Sequence, residues 1–260
     1  MSLSFELGGP AGAPVVLLSA GLGGAAAYWG PQRAALQDFR VLAFDHRGTG
    51  RNAGALPPGY TIDHMAADAF AVMDAAGVER CHVLGHALGG LVGLAMARAD
   101  PRRVSGLGLV NAWAAPNPHT ARCFAARTRL LAQGGVRAYV EAQPIFLYPA
   151  AWAEAHAEAV DAEVAHGIAH FQGEANLLAR IGALLAFDVA DRLPAIRVPA
   201  WVAAARDDTL VPWTCSQRLA AALPGARLQA FAEGGHAVNV TQSETFNAAL
   251  LAFLKDSTRA

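Results

Sequence analysis

Six short apolar runs, Val15–Ser19, Arg40–Phe44, His82–Leu84, Leu107–Asn111, Ala200–Ala204 and Arg227–Phe231, are separated by stretches rich in helix formers. Runs that are apolar throughout, rather than at alternate residues, suit strands covered on both faces. The order therefore predicts an α/β fold with a mostly parallel central sheet and helices on both faces. Helices are expected over Tyr28–Leu36 and Thr61–Ala76, the second with Ile62, Met65, Ala69, Val72 and Met73 along one stripe, Thr61 as its cap and Gly77 at its end. From Trp113 to Asp188 the alternation stops. Helices are predicted there over Thr120–Ala132, Val136–Gln143, Ala151–His170 and Asn176–Leu185, and Pro194 and Pro199 mark the return to the sheet. This block reads as an inserted helical cap: core over residues 1–112, cap over 113–190, core again over 191–260.

Gly85-His86-Ala87-Leu88-Gly89 lies between the apolar run Cys81 to Leu84 and the helix formers Leu88 to Arg98. A Gly-x-nucleophile-x-Gly turn of this kind reverses a strand sharply into a helix and leaves its central side chain standing above the sheet. Here that side chain is the methyl group of Ala87. Ligands of open parallel sheets bind at the carboxyl ends of the strands, and three more segments are expected there. Ala20-Gly21-Leu22-Gly23-Gly24 follows the first strand, and the backbone amides of Leu22 and Leu88 could face an oxyanion. Arg206-Asp207-Asp208 follows a late strand, and Gly234-Gly235-His236 comes near the end.

The order elbow, acid, histidine is that of an α/β-hydrolase triad, and the chain resembles that superfamily. Asp45-His46-Arg47-Gly48-Thr49-Gly50 is similar to its Asp-x-Arg-Gly-x-Gly turn, read as scaffold, and Asp208 stands four residues before Pro212, where such families usually place the acid. A closer resemblance extends over almost the whole chain: in the core, Gly21-Leu22-Gly23-Gly24 with Tyr28-Trp29 and Gly234-Gly235-His236-Ala237 with Asn239-Val240-Thr241, and through the cap, His119-Thr120 with Arg122-Cys123-Phe124, Val140-Glu141-Ala142-Gln143-Pro144, Phe146-Leu147-Tyr148-Pro149, Ala169-His170-Phe171-Gln172-Gly173 and Asn176-Leu177-Leu178. In these the chain resembles the D-protein family of the bacterial Rut pyrimidine-utilisation pathway, which has the same Gly-His-Ala-Leu-Gly elbow. The resemblance implies a native alanine at position 87. It also implies a role in uracil catabolism, where ring opening yields carbamate and an aminoacrylate that both hydrolyse spontaneously, and the family's assignment leans to carbamate.

Without an elbow nucleophile an acyl-enzyme route is closed. Loss of the nucleophile costs a serine hydrolase on the order of a million-fold, yet binding and oxyanion donors can leave roughly a thousand-fold over water. The expected mechanism has His236, oriented by Asp208, act as general base on a water in the place of a serine hydroxyl. For aminoacrylate, His236 would first protonate the enamine. Asn111, Trp113, Tyr148, Gln172 and Asn176 are pocket candidates, and Arg47 or Arg122 could receive a carboxylate, although ion pairing elsewhere also explains them.

Other classes remain open from the sequence. The chain could be a non-catalytic hydrolase-fold protein that binds a metabolite or a pathway partner, or a cofactor-free lyase. An esterase with its serine elsewhere fits poorly, because Ser105 and Ser216 lie far from the elbow. A net charge of −1, with 20 basic and 21 acidic side chains and no block of one sign, argues against nucleic acid and anionic membranes and for a small-molecule substrate. Three widely spaced cysteines suggest neither disulfides nor metal, and no cofactor is implied. The start lacks a basic, then apolar, leader and no later stretch approaches a membrane span, so a cytoplasmic protein is expected. The apolar cap leaves room for a homodimer.

Overall fold

The computed structural model describes residues 3–259. Seven strands form one sheet: β1 (Phe5–Gly8), β2 (Val15–Ser19), β3 (Arg40–Phe44), β4 (Cys81–His86), β5 (Val104–Val110), β6 (Ala200–Ala205) and β7 (Arg227–Phe231). Their order is β1-β3-β2-β4-β5-β6-β7. All neighbours are parallel except β1, which pairs antiparallel with β3. The chain leaves β2 to one side for β3 and returns to its other side for β4, so the strand order reverses at β2. The crevice at such a switch point, beyond the carboxyl ends of β2 and β4, is where this class of sheet takes a ligand.

Alternate strand residues feed two cores. Leu17, Leu42, Val83, Leu107 and Leu109 pack with α2 (Ile62–Ala75), α3 (Leu88–Ala99) and α9 (Trp213–Ala222). Val16, Leu18, Val41, Ala43, Leu84 and Val110 pack on the other face with Trp29, Leu36 and the Phe246, Leu250, Phe253 and Leu254 stripe of α11 (Ser243–Arg259). The α1 helix (Gly30–Ala35) and the short α10 (Val238–Thr241) complete the core elements. Thr61 caps α2: its hydroxyl accepts the His64 amide while the His64 ring accepts the Thr61 amide.

Between β5 and β6 the cap comprises α4 (Pro118–Glu141), α5 (Gln143–Leu147), α6 (Ala150–Ala155), α7 (Ala157–Ala169) and α8 (Glu174–Ala186). The break expected near Gly134-Gly135 is a kink within α4, where Gly135 adopts φ 71°. The single helix expected over Ala151–His170 is interrupted at His156. The elements β1, α5, α10 and α11 escaped the sequence reading. Among the described residues no helix is long and apolar enough to cross a membrane.

Four hydrogen bonds at one side chain help seat the cap on the core. Asn176 Nδ2 donates to the carbonyls of Gly48, Gly54 and Gln172, and its Oδ1 accepts the Leu56 amide at 3.0 Å. Asn176→Ala would strand buried backbone groups on both sides. At roughly 0.5–1.5 kcal/mol per bond, we expect a loss of about 3 kcal/mol, read as a thermal midpoint lower by roughly 5–10 °C; an unchanged midpoint would mean that these bonds are easily replaced.

Candidate active site

The turn after β4 has the backbone of a nucleophile elbow. Ala87 sits at φ 47° and ψ −112°, a conformation costly for any residue with a Cβ. It is held by its amide, which donates to the Val110 carbonyl at 2.8 Å, and by its carbonyl, which accepts from Gly90 and Leu91. The flanking glycines are required by space. A Cβ on Gly85 would lie 2.2 Å from the Gly89 carbonyl oxygen, and one on Gly89 would lie 2.0 Å from that of Ser19. The second approach also shows how closely the turn after β2 is pressed against the elbow. A Cβ on Gly21 would lie 2.9 Å from His86 Nδ1.

Asp208 and His236 come together from the ends of β6 and β7. His236 Nδ1 lies 2.8 Å from Asp208 Oδ2, with both side chains buried. The other carboxylate oxygen accepts the amides of Leu210 and Val211, each at 2.8 Å, so the acid is fixed before it meets the ring. Its neighbour Asp207 accepts the Gly234 and Gly235 amides and ties down the histidine loop from beneath. With Nδ1 bound to the carboxylate, the opposite ring nitrogen, Nε2, has no hydrogen-bond partner among the described residues. The Leu88 amide opens α3 and so has no intrahelical acceptor. The Leu22 amide makes no hydrogen bond among the described residues.

The polar pocket candidates have other duties. Asn111, itself at φ 47°, donates Nδ2 to the carbonyls of His236 (2.6 Å) and Gly235 (3.3 Å) and accepts the Ala205 amide. It joins β5, β6 and the histidine loop, and its amide is spent on backbone. Asn176 is spent in the same way. Trp113 is buried in the larger core, and the Tyr148 hydroxyl donates to Glu163 at 2.5 Å while its ring stacks on Trp152. Gln172 donates Nε2 to the Leu22 carbonyl at 3.2 Å, and its Oε1 is buried without a partner. Arg47 is paired with Asp68 and Arg122 is exposed. Ser216 is buried, donating to the Ala112 carbonyl.

Sequence reasoning missed Arg180. This fully buried side chain of α8 donates Nη1 to the Leu22 carbonyl at 3.2 Å and Nη2 to that of Arg47 at 2.5 Å. Burial lowers its pKa to about 10, which leaves it charged at neutral pH. Two cap side chains thus grip the carbonyl of Leu22. His86 was also missed: its Nε2 donates to the His236 carbonyl at 2.8 Å, and its ring lies between those of Tyr28 and His236. Burial, with His236 nearby, presses its pKa down to about 3, so it is a neutral prop. Among the described residues no group of three His, Cys, Asp or Glu side chains could hold a metal ion.

A family model described as alpha/beta hydrolase fold matches residues 13–144. A Variovorax paradoxus protein named "Putative carbamate hydrolase RutD" is 58% identical to this chain over 98% of it and 96% of the relative. Among solved structures, a hydrolase from Pseudomonas aeruginosa is 31% identical with a TM-score of 0.87, covering 97% of this chain and 94% of that one. An enol-lactonase from Burkholderia xenovorans is 26% identical with a TM-score of 0.88, covering 97% and 96%.

Proposed function

We propose that this chain, which belongs to the α/β-hydrolase family and, within it, with the RutD relatives, hydrolyses carbamate to ammonia and bicarbonate by activating water. The observation that carries the reading is a histidine–carboxylate pair, His236 Nδ1 to Asp208 Oδ2 at 2.8 Å, kept beside an elbow that offers only a methyl group. A pair with no nucleophile to activate can still activate water.

In this mechanism the water sits where a serine oxygen would be. His236 Nε2 takes its proton as the oxygen attacks the carbamate carbon, Asp208 stabilises the imidazolium, and the Leu22 and Leu88 amides meet the negative charge that develops on oxygen. The imidazolium returns the proton to nitrogen as the carbon–nitrogen bond breaks. Water is consumed and ammonia and bicarbonate leave, so the histidine ends neutral. General base catalysis of this kind supplies roughly 10²–10⁴-fold, enough for a substrate that already decays unaided.

The test is ammonia release from freshly made carbamate by stopped flow, with aminoacrylate decay followed in parallel. Wild type should exceed the uncatalysed rate and His236→Ala should return to it. A wild type that accelerates aminoacrylate alone would transfer the mechanism to that substrate. Traces matching the uncatalysed rate for both compounds would favour a metabolite-binding protein.

A further inference from the structure

The cap carries a second buried guanidinium, and this one has no backbone carbonyl to hold. Arg127 of α4 is 3% exposed. Its Nη2 donates to the Tyr139 hydroxyl at 2.9 Å and to Gln143 Oε1 at 2.6 Å, both neutral acceptors. Its Nε is buried without a partner, and no carboxylate lies within ion-pair distance among the described residues. The rings of Phe124, Tyr139 and Phe146 surround it at 5.2, 5.2 and 5.5 Å. Aromatic faces offset part of the cost of desolvating a cation, but they bear no net charge. A buried cation with idle donors and no anion is an incomplete arrangement.

Three contacts tie the elements that carry this cage to segments of the candidate site. Phe146 precedes Leu147, whose carbonyl accepts the Ala237 amide at 3.0 Å, next to His236. Tyr139 packs edge-on against Phe171, whose neighbour Gln172 holds the Leu22 carbonyl. One turn before Arg127 on α4, Cys123 Sγ approaches the Thr209 carbonyl at 3.6 Å, next to Asp208. Arg47 and Arg180 are already committed, and Arg122 is on the surface.

We propose that Arg127 receives the carboxylate of the substrate and makes the site selective for a small monocarboxylate over a neutral amide or ester. The inference rests on the reading that the substrate is a small carboxylate such as carbamate. Guanidinium suits this role because its planar donors match a carboxylate and it keeps its proton under burial.

Oxamate, a stable amide-bearing monocarboxylate, and neutral oxamide are the probes, titrated calorimetrically at constant ionic strength. Wild type should bind oxamate at least tenfold more tightly than oxamide; Arg127→Met should lose that preference, and Arg127→Lys should keep part of it. Equal binding of the two probes by wild type, absence of binding by either, or an Arg127→Met protein of native circular dichroism that keeps the preference would overturn the proposal. Should Arg127→Met not fold, a wild-type crystal soaked with oxamate decides: the carboxylate within hydrogen-bond distance of Arg127 supports the proposal, and any other placement sinks it. Carbamate turnover is assayed separately. Arg127-dependent oxamate binding without turnover would remove the hydrolase reading and leave the anion site standing.

Discussion

Ala87→Ser should turn this protein into a covalent esterase. The backbone needs no adjustment, because Ala87 already holds φ 47° at the head of α3, and serine has the same Cβ. His236 is aligned by Asp208 with Nε2 free, and the added oxygen would stand where that nitrogen can take its proton. A complete triad gains on the order of 10⁶-fold over one lacking its serine. A site not shaped for esters should recover less, and we expect about 10³-fold over wild type on p-nitrophenyl acetate, with an initial burst. A phosphonate should add one mass equivalent to Ala87→Ser and none to wild type. Carbamate hydrolysis should fall in the same variant, because the hydroxyl takes the water's place. An Ala87→Ser protein that is folded, unlabelled and inactive on esters would show that His236 Nε2 does not reach the elbow.

Mild acid should cost the protein much of its stability. Three buried histidines have pKa values pushed down chiefly by burial, His46 and His86 to about 3 and His82 to about 4. His46 Nε2 lies 3.1 Å from the Ala20 carbonyl, and His82 Nε2 lies 3.0 Å from Ser257 Oγ. Each is uncharged in the fold, and in the unfolded chain each would titrate near 6.5. Above that value neither state is protonated and the contribution is fully present. As pH falls from about 6.5 towards 3–4 the unfolded chain binds more protons, so stability declines throughout that window. pH 5 lies about 1.5 units below the unfolded value, so each histidine that stays neutral in the fold costs roughly 2 kcal/mol there. Three together approach 6 kcal/mol, within the range of a whole domain's stability of about 5–15 kcal/mol. The thermal midpoint should therefore drop by on the order of 10–20 °C between pH 7 and pH 5. A midpoint indifferent to pH in that interval would mean that the folded protein protonates these rings as readily as the unfolded chain.

The central strands were legible in the sequence because both faces of the sheet are covered and their residues are apolar throughout. The β1 strand was not. At the sheet edge its burial alternates, and Glu6 faces Arg33 and Arg51 at the surface. The α5 helix is one short turn after Ala142, too brief for a period to show. At the site, local turn chemistry carried the signal: Gly85, Gly89 and the pairing of an acid with His236 follow from spacing along the chain. Asn111, Asn176 and Arg180 depend on segments far away in sequence, and Arg127 on how α4 folds back against α5. A polar residue at a strand end or on a cap helix reads the same whether its side chain meets a ligand or a carbonyl. Tertiary packing makes Asn111 a tie, Arg180 a clamp and Arg127 an unanswered charge, and it leaves no trace in the local sequence.

The elbow also sets a genetic distance. Every alanine codon becomes a serine codon when its first base changes from G to T, and the turn that would carry the serine is already built, with Gly85 and Gly89 cleared around it and Ala87 held at φ 47°. In many folds a new nucleophile would need a second mutation to bend the chain beneath it. Here the scaffold precedes the residue, and a lineage bearing this protein lies a single nucleotide from a serine at the head of α3.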